Sequence, residues 1–485
     1  MKLKTKYNEY YYDNQTGIIM TGAQQLSAIL NIENWDKKSK NEIVNLLQNK
    51  FDEKDISFYY DWIKKYIMFQ NTFLQKDSEI EVNIPTIKNN LLHNGFKQLI
   101  LSITNNCNFR CTYCVYSEEY SDSRNHSSES MEFKTAKKAI DWYFKYIEYG
   151  KKYNIFRIPV IGFYGGEPLL NFKLIKKIIN YVNTTYSSYE TSYTITTNGS
   201  LLTKTISDYL IKHNVSIVVS LDGDKFEQNR KRKYENNDET FEDVFTNISY
   251  ILKKKYDAIY IASVYDWKTN LKNCNNFFKN NNLKVSIVSS VNNITTKDYY
   301  NRFDETDFKK FNENFSKLEQ EYISTPNNEQ DYLTEVIEYP LVSLLLDSNM
   351  LNIKRHIYPV TGCCIPGDKI FVNPDGEFHI CERIPEIKSI GNVNTGLNFN
   401  NIEKIINEYN KILTECDKCE FSFICDKCFN NFMIDGEFKN TKIICKNEKE
   451  EMTDILNRAL MLLEKNQNVV EKNYIKYYKL YNWRA

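Results

Sequence analysis

The chain has 485 residues, 42% hydrophobic and 26% charged, with 63 basic and 63 acidic side chains. That length exceeds one ordinary core and predicts two or three domains, while a formal net charge of zero argues against a dedicated nucleic-acid binder. The polar amino terminus lacks a secretory apolar run and no stretch reaches the roughly 20 apolar residues of a membrane span, so a cytoplasmic location is expected, where the twelve cysteines read as metal ligands rather than disulfides.

Tyr10 to Tyr12 and Gly17 to Met20 flank a turn-like stretch from Asp13 to Thr16 and read as a hairpin. Apolar residues at three- and four-residue spacing predict helices around 21–32, 39–50 and 56–74. A hairpin plus three helices over residues 1–95 suits a winged-helix-like recognition unit or a plain helical cap.

From residue 96 to 304 the pattern alternates. Apolar strand-like runs occur at 98–104, 160–164, 192–197, 216–221, 258–264 and 284–290, separated by amphipathic helices such as 135–149. Six strands alternating with helices predict parallel β/α units, as an open partial barrel or a doubly wound sheet. Residues 305–360 read as a helical bridge, 361–450 as an irregular cysteine-rich domain, and 451–485 as a terminal helix and tail.

Cys107, Cys111 and Cys114 follow the first of these strands at x3 and x2 spacing. Three thiolates on one loop suit three corners of a 4Fe–4S cube with the fourth iron open; a three-ligand zinc site is the alternative. With Tyr113 before the third cysteine, the segment resembles the signature of the radical S-adenosylmethionine (SAM) superfamily. In that family the open iron chelates SAM, whose reductive cleavage releases a 5′-deoxyadenosyl radical. The resemblance implies a partial (β/α)6 TIM-like barrel, one SAM, and a reducing partner of the flavodoxin or ferredoxin type.

Other strand ends carry matching motifs. Gly165, Gly166, Glu167 and Pro168 resemble the family's GGEP turn, in which glycines admit a ligand and a carboxylate suits the SAM ammonium. Thr197, Asn198 and Gly199, then Ser220, Leu221, Asp222 and Gly223, resemble its ribose- and carboxylate-contacting segments. Asn198 and Asp222 also suit plain turns. Arg232 stands where relatives carry an arginine, after Gln228 and Asn229 in place of the usual His-Asp. Polar motifs at successive strand ends fit a site on the carboxyl face of a β/α barrel.

A second cysteine set ends the chain: Cys381 in a Gly-x4-Cys, then Cys416, Cys419, Cys425 and Cys428, then Cys445. Cys416 to Cys428 alone also suits a zinc knot. The ordered set resembles the SPASM extension, which holds two auxiliary 4Fe–4S clusters, with an x2 gap here where the family has x3. The resemblance implies an outer cluster on Cys416, Cys419, Cys425 and Cys445. The inner one would take Cys364, Cys381 and Cys428, with Cys363 as a spare or fourth ligand. Cys274, on a helical pattern, reads as a core residue.

Radical SAM–SPASM enzymes mostly act on peptides. The expected function is maturation of a ribosomally made precursor peptide whose leader is gripped by the amino-terminal unit through strand addition, with a thioether from a peptide cysteine as the expected product. Carbon–carbon crosslinking and sulfatase-type formylglycine formation are the alternative chemistries. A winged-helix metal-sensing regulator is the non-enzymatic alternative.

Overall fold

The amino-terminal hairpin gains a third strand in a computed structural model of the chain. Residues 15–16, 74–81, 118–123, 154–156, 292–298, 326–330, 349–365, 385, 414–415, 417–418, 422–423, 426, 435, 440–441, 470 and 472–485 are outside the described structure. β1 (Lys2–Lys4), β2 (Glu9–Tyr12) and β3 (Ile19–Gly22) form an antiparallel sheet in that order. α1 (Gln24–Leu30), α2 (Lys40–Leu47) and α3 (Glu53–Phe73) follow. The Ser39–Glu42 capping box opens α2, and Ile29, Ile43, Val44, Leu47, Ile56 and Tyr60 give the three helices their own small core. Leu3, Tyr10 and Tyr12, by contrast, belong to the main core, as do Ile87 and Leu91 of α4 (Ile84–Asn94).

The six expected parallel strands are all present, in sequential order: β4 (Gln98–Ser102), β5 (Val160–Tyr164), β6 (Ser192–Thr197), β7 (Ser216–Ser220), β8 (Ile259–Tyr265) and β9 (Val285–Ser290). Between them run α5 (Phe133–Gly150), α6 (Phe172–Thr185), α7 (Lys204–Lys212), α8 (Lys225–Lys231), α9 (Phe241–Lys253) and α10 (Leu271–Asn280). This is an α/β partial barrel.

The two faces of the sheet differ. Leu99, Leu101, Ile161, Phe163, Ile195, Ile217, Val219 and Ile261 are buried in the main core. Residues between them face the other way, and their register aligns Ile100 with Gly162 and Thr194, and Ser102 with Tyr164. A Cβ on Gly162 would touch Gln98 and Thr194 side chains. On β6 the serine and threonines of this second face are half-exposed while their neighbours are buried. Fully covered parallel sheets are apolar on both faces. A polar, partly open inner face marks this one as the wall of a container.

α11 (Glu305–Ser324), a π-helical turn at Thr334–Glu338 and α12 (Tyr339–Ser348) make the helical bridge. The following cysteine-rich segment is more regular than its sequence led us to expect. β10 (Lys369–Val372) adds in parallel to β4, and β11 (Glu377–His379), β12 (Ser389–Asn392) and β13 (Gly396–Leu397) continue antiparallel, giving a ten-stranded sheet. The turn from Asn373 to Gly376 joins β10 to β11, with Gly376 at φ +92°, a conformation open to glycine at little cost. α13 (Phe399–Lys411), the hairpin of β14 (Met433–Ile434) and β15 (Glu437–Phe438), and α14 (Lys442–Lys465) complete the described fold.

α14 returns to the start of the chain. Glu464 accepts hydrogen bonds from Thr5, Asn8 and Tyr10 side chains at 2.7–2.8 Å, and Asn457 accepts from the Lys4 amide at 3.0 Å. Tyr12 stacks on Phe421 of the cysteine-rich segment at 6.3 Å.

Candidate active site

The loop after β4 is clasped by the turn after β5. The Gly166 amide donates to the Thr104 carbonyl at 2.7 Å, and the Glu167 amide to that of Asn106 at 2.8 Å. A Cβ on Gly165 or Gly166 would lie 2.3 Å from Thr104 O or 2.2 Å from Asn106 O, so the close approach that needs these glycines is to the cysteine loop's own backbone. Pro168 starts the short 3-10 turn that follows.

Glu167 is fully buried. One carboxylate oxygen accepts from the Leu169 amide at 3.0 Å and the Thr197 hydroxyl at 2.7 Å; the other accepts from the Asn198 amide at 2.7 Å. The side chain thus ties the end of β5 to the end of β6. Burial pushes its pKa up to about 7 against the pull of those donors.

The structure brings Cys107, Cys111 and Cys114 together on one loop, and each sulfur accepts a hydrogen bond. The Phe109 amide (3.4 Å) and Asn198 Nδ2 (3.9 Å) reach Cys107, Arg232 Nη1 reaches Cys111 at 3.7 Å, and the Tyr116 amide reaches Cys114 at 3.4 Å. Burial raises all three thiols, Cys107 to about 12. As free thiols they are neutral and inert; bound iron supplies the positive charge that makes them thiolates. N–H···S donors then set cluster potential. The donor set fits a cube held at three corners.

Asn198 is fixed by donating to Asn108 Oδ1 at 2.8 Å and by accepting from the Ser200 amide and hydroxyl. Asp222, fully buried, accepts from the Tyr113 hydroxyl at 2.7 and 2.9 Å, from Arg232 Nε at 3.2 Å and from the Val264 amide at 3.0 Å. The Arg232 and Lys231 cations hold its carboxyl below the ordinary range although burial opposes them. Arg232 also lies over the Tyr113 ring at 5.1 Å.

Four charged side chains back this group. Lys231 pairs with Asp222 and Glu227, and Arg230 with Glu227 and Asp266. Sequence reasoning missed Lys231, Glu227, Arg230 and Asp266: the first three lie on the short α8 and Asp266 just past β8, and no local pattern in the sequence joins the two. Gln228 and Asn229 fasten the loop instead: Gln228 accepts from the Asp222 amide at 3.0 Å, and Asn229 from the Thr240 and Phe241 amides at 3.0 Å. Ser220 ends β7 on the inner face, half-buried. Cys274 is buried on α10 beside the Asp222 carbonyl.

Of the later cysteines, Cys381 and Cys428 both lie within electrostatic reach of Arg383. Cys416, Cys419 and Cys445 pack against the main core, and Cys425 is half-buried. Cys363 and Cys364 lie outside the described residues.

The profile of the Radical SAM superfamily matches residues 101–265, which hold the three-cysteine loop and the whole Asp222–Arg232 group. An uncharacterised protein of Methanocaldococcus jannaschii is 30% identical over 305 residues, 62% of this chain and 90% of that relative. The chain belongs to the radical SAM superfamily. As a member it takes SAM and a 4Fe–4S cluster. It resembles peptide maturases of the SPASM type. The radical SAM cyclopropyl synthase TigE of Paramaledivibacter caminithermalis is 29% identical over 217 residues, 43% of this chain and 44% of TigE. The solved structure of anSMEcpe with bound AdoMet and Cp18Cys peptide shares the fold, at a TM-score of 0.57 and 21% identity, over 75% of this chain and 98% of that one. Among the described residues of this radical SAM chain, no helix is long and apolar enough to cross a membrane.

Proposed function

We propose that this enzyme matures a ribosomally made precursor peptide, using SAM cleavage to form a thioether from a peptide cysteine. The observation that carries the peptide reading is the amino-terminal sheet. β3 is its open edge, with no second strand beside it among the described residues, whereas the Lys4 amide of β1 is taken by α14. Tyr66 of α3 bonds Asp13 in the β2–β3 turn at 2.8 Å, and the same helix exposes Phe58 and Trp62. A free strand edge suits an extended leader, which gains main-chain hydrogen bonds there.

SAM, once bound, supplies the hydrogen-abstracting radical; the chain holds the reactants and excludes water. Cys416, Cys419, Cys425 and Cys445 would hold an outer auxiliary 4Fe–4S cluster. Cys381 and Cys428, which share Arg383, would hold an inner one with Cys364, and Cys363 as the spare thiol or fourth ligand. Gly165, Gly166, Pro168, Asn198 and Ser220 would shape the SAM pocket, with Tyr113 and Arg232 beside the cluster. The electron donor would be of flavodoxin or ferredoxin type.

The test is a short cysteine-bearing peptide encoded beside the gene, incubated anaerobically with reconstituted enzyme, SAM and a reductant. A thioether removes two hydrogens from the peptide and blocks its thiol, with 5′-deoxyadenosine formed alongside. The likeness to a cyclopropyl synthase favours carbon–carbon bond formation as the second reading. That product loses the same hydrogens but keeps a thiol open to alkylation.

A further inference from the structure

The two faces of the amino-terminal sheet have different neighbours. Leu3, Tyr10 and Tyr12 are buried in the main core. Lys2 pairs with Tyr11, Lys4 with Glu9, and Glu9 with Gly22, so these alternate residues share the opposite face. There α1 covers the strands, and the Ser27 hydroxyl accepts hydrogen bonds from Lys2 Nζ at 3.3 Å and from Tyr11. At one end the cover stops short and leaves a cavity of about 520 Å³, a size typical of ligand sites. Lys4, the β1–β2 turn and Gly22 form one wall; Gln24 and Ser27 of α1, with Asn31 just beyond it, form the other.

The lining is polar and its charge is positive. Glu9 is paired with Lys2 at 2.9 Å, and Glu464 is engaged by Thr5, Asn8 and Tyr10. Lys4 and Lys6 are exposed at the opening, and Lys465 Nζ lies 4.5 Å from the Tyr7 ring on the same turn. These lysines outweigh the two engaged carboxylates, so the cavity attracts anions. The side-chain amides of Asn8, Gln24 and Asn31 offer donors and acceptors that match a peptide main chain. Residues 472–485 carry Lys472, Lys476, Lys479 and Arg484 and no acidic side chain, so the chain's own tail has the wrong charge to fill it. Gly22 belongs both to this cavity and to the β3 edge. Lys4 stands two strand spacings from it, roughly 10 Å, which three extended residues span. A peptide added at β3 and continuing past Gly22 therefore reaches the lysine wall.

We propose that this cavity binds an acidic stretch of the precursor's leader, with its carboxylates on Lys4 and Lys6. The site rests on the peptide-maturase reading and adds to it a second anchor beyond the strand edge, one that selects leaders by charge.

The test is the joint charge reversal Lys4→Glu and Lys6→Glu in the fully clustered full chain, with iron content and melting temperature as controls for folding. Affinity for the co-encoded precursor should fall about tenfold at low salt, and the difference should shrink towards none near about 0.5 M salt. Arginine at both positions should preserve binding. Gln24→Glu, which places a carboxylate on the opposite wall, should weaken it as well. A precursor whose leader Asp and Glu are changed to Asn and Gln should bind wild type weakly and lose nothing further in the reversed variant. Equal affinity in wild type and variant overturns the proposal, as do fully additive losses or a leader without acidic residues. Fluorescein-labelled hexaglutamate separates the cavity from the maturase reading. If wild type binds it in a salt-sensitive way and the reversed variant does not, the cavity stands as an acidic-peptide site even where the precursor is not modified. No binding in wild type overturns it, and so does displacement by inorganic phosphate at equal concentration, which would make it a site for small anions only.

Discussion

Replacing Asp222 by Asn should destabilise the barrel far more than its small change in shape suggests. Asp222, Glu227 and Asp266 balance Arg230, Lys231 and Arg232 in one network beside Tyr113 and Cys111. Asparagine removes one of the three anions and leaves Arg232 and Lys231, both nearly buried, facing a neutral amide. Breaking a buried pair from one side costs about 3–5 kcal/mol. For a domain of roughly 200 residues, each kcal/mol lowers Tm by about 2–4 °C, so a fall on the order of 10 °C is expected. Arg232→Met should cost less, because Asp222 keeps Lys231 at 3.7 Å and donors from Tyr113 and Val264. Combining the two should recover part of the Asp222→Asn loss. The assay is anaerobic calorimetry of the metal-free chain under reducing conditions. The folded pKa of Asp222 is depressed, so its contribution is present above the ordinary carboxylate range and lost only as pH falls below it. The gap between wild type and Asp222→Asn should therefore be flat from about pH 6 to 8. A loss below about 3 °C, or a double variant worse than the sum of the singles, would refute the charge-balance reasoning.

Glu167 predicts the opposite pH dependence. Its folded pKa is raised to about 7, so the folded chain holds the proton more tightly than the unfolded one; wild-type stability relative to Glu167→Gln should fall by about 3 kcal/mol between pH 4.5 and 7, and a gap constant across that window sinks the idea. Replacing Cys107, Cys111 and Cys114 together by Ala should abolish 5′-deoxyadenosine formation while visible absorption from the auxiliary clusters persists; continued reductive cleavage of SAM would contradict the site. Thr21→Pro removes an amide that points to the open edge of β3, since Ile18 and Met20 face β2. Leader affinity should drop about tenfold with peptide-free SAM cleavage unchanged, and an unaffected affinity would remove strand addition as the leader's mode.

The barrel was legible because its signal is local and repeated. Each apolar run, such as Val160 to Tyr164, is a short buried strand, and each motif sits at a strand end where β/α geometry exposes it. β10 and β11 were missed although Asn373 to Gly376 is a plain hairpin turn, because the surrounding cysteines drew the segment towards an irregular metal-binding reading. The third amino-terminal strand was missed because Lys2 to Lys4 has a single apolar residue, Leu3, which is buried only by packing against distant parts of the chain. Asn198 and Asp222 carried turn propensity that competed with their site role. Their partners lie from 10 to 109 residues away, and no periodicity encodes such distances. Glu167 shows the limit in the other direction: the motif named the residue, but only the structure shows both its oxygens engaged by Leu169, Thr197 and Asn198.

The two ends of the chain also decide how leader recognition can be tested. Removing residues 1–95 as a block would strip Leu3, Tyr10, Tyr12, Ile87 and Leu91 from the main core and leave Glu464 of α14 without Thr5, Asn8 and Tyr10. Large apolar side chains taken from a core cost several kcal/mol each, so a loss of activity after that deletion would report unfolding as readily as lost recognition. The same contacts give the amino-terminal sheet a mechanical meaning. Tyr12 is the last residue of β2, next to the open strand, and its ring lies on Phe421, between Cys419 and Cys425. A leader added at β3 therefore binds one strand away from the loop that carries the outer cysteines. Edge substitutions that spare Tyr12 and the α14 contacts isolate recognition from this support, and that is why a single proline at the β3 edge is the sharper probe.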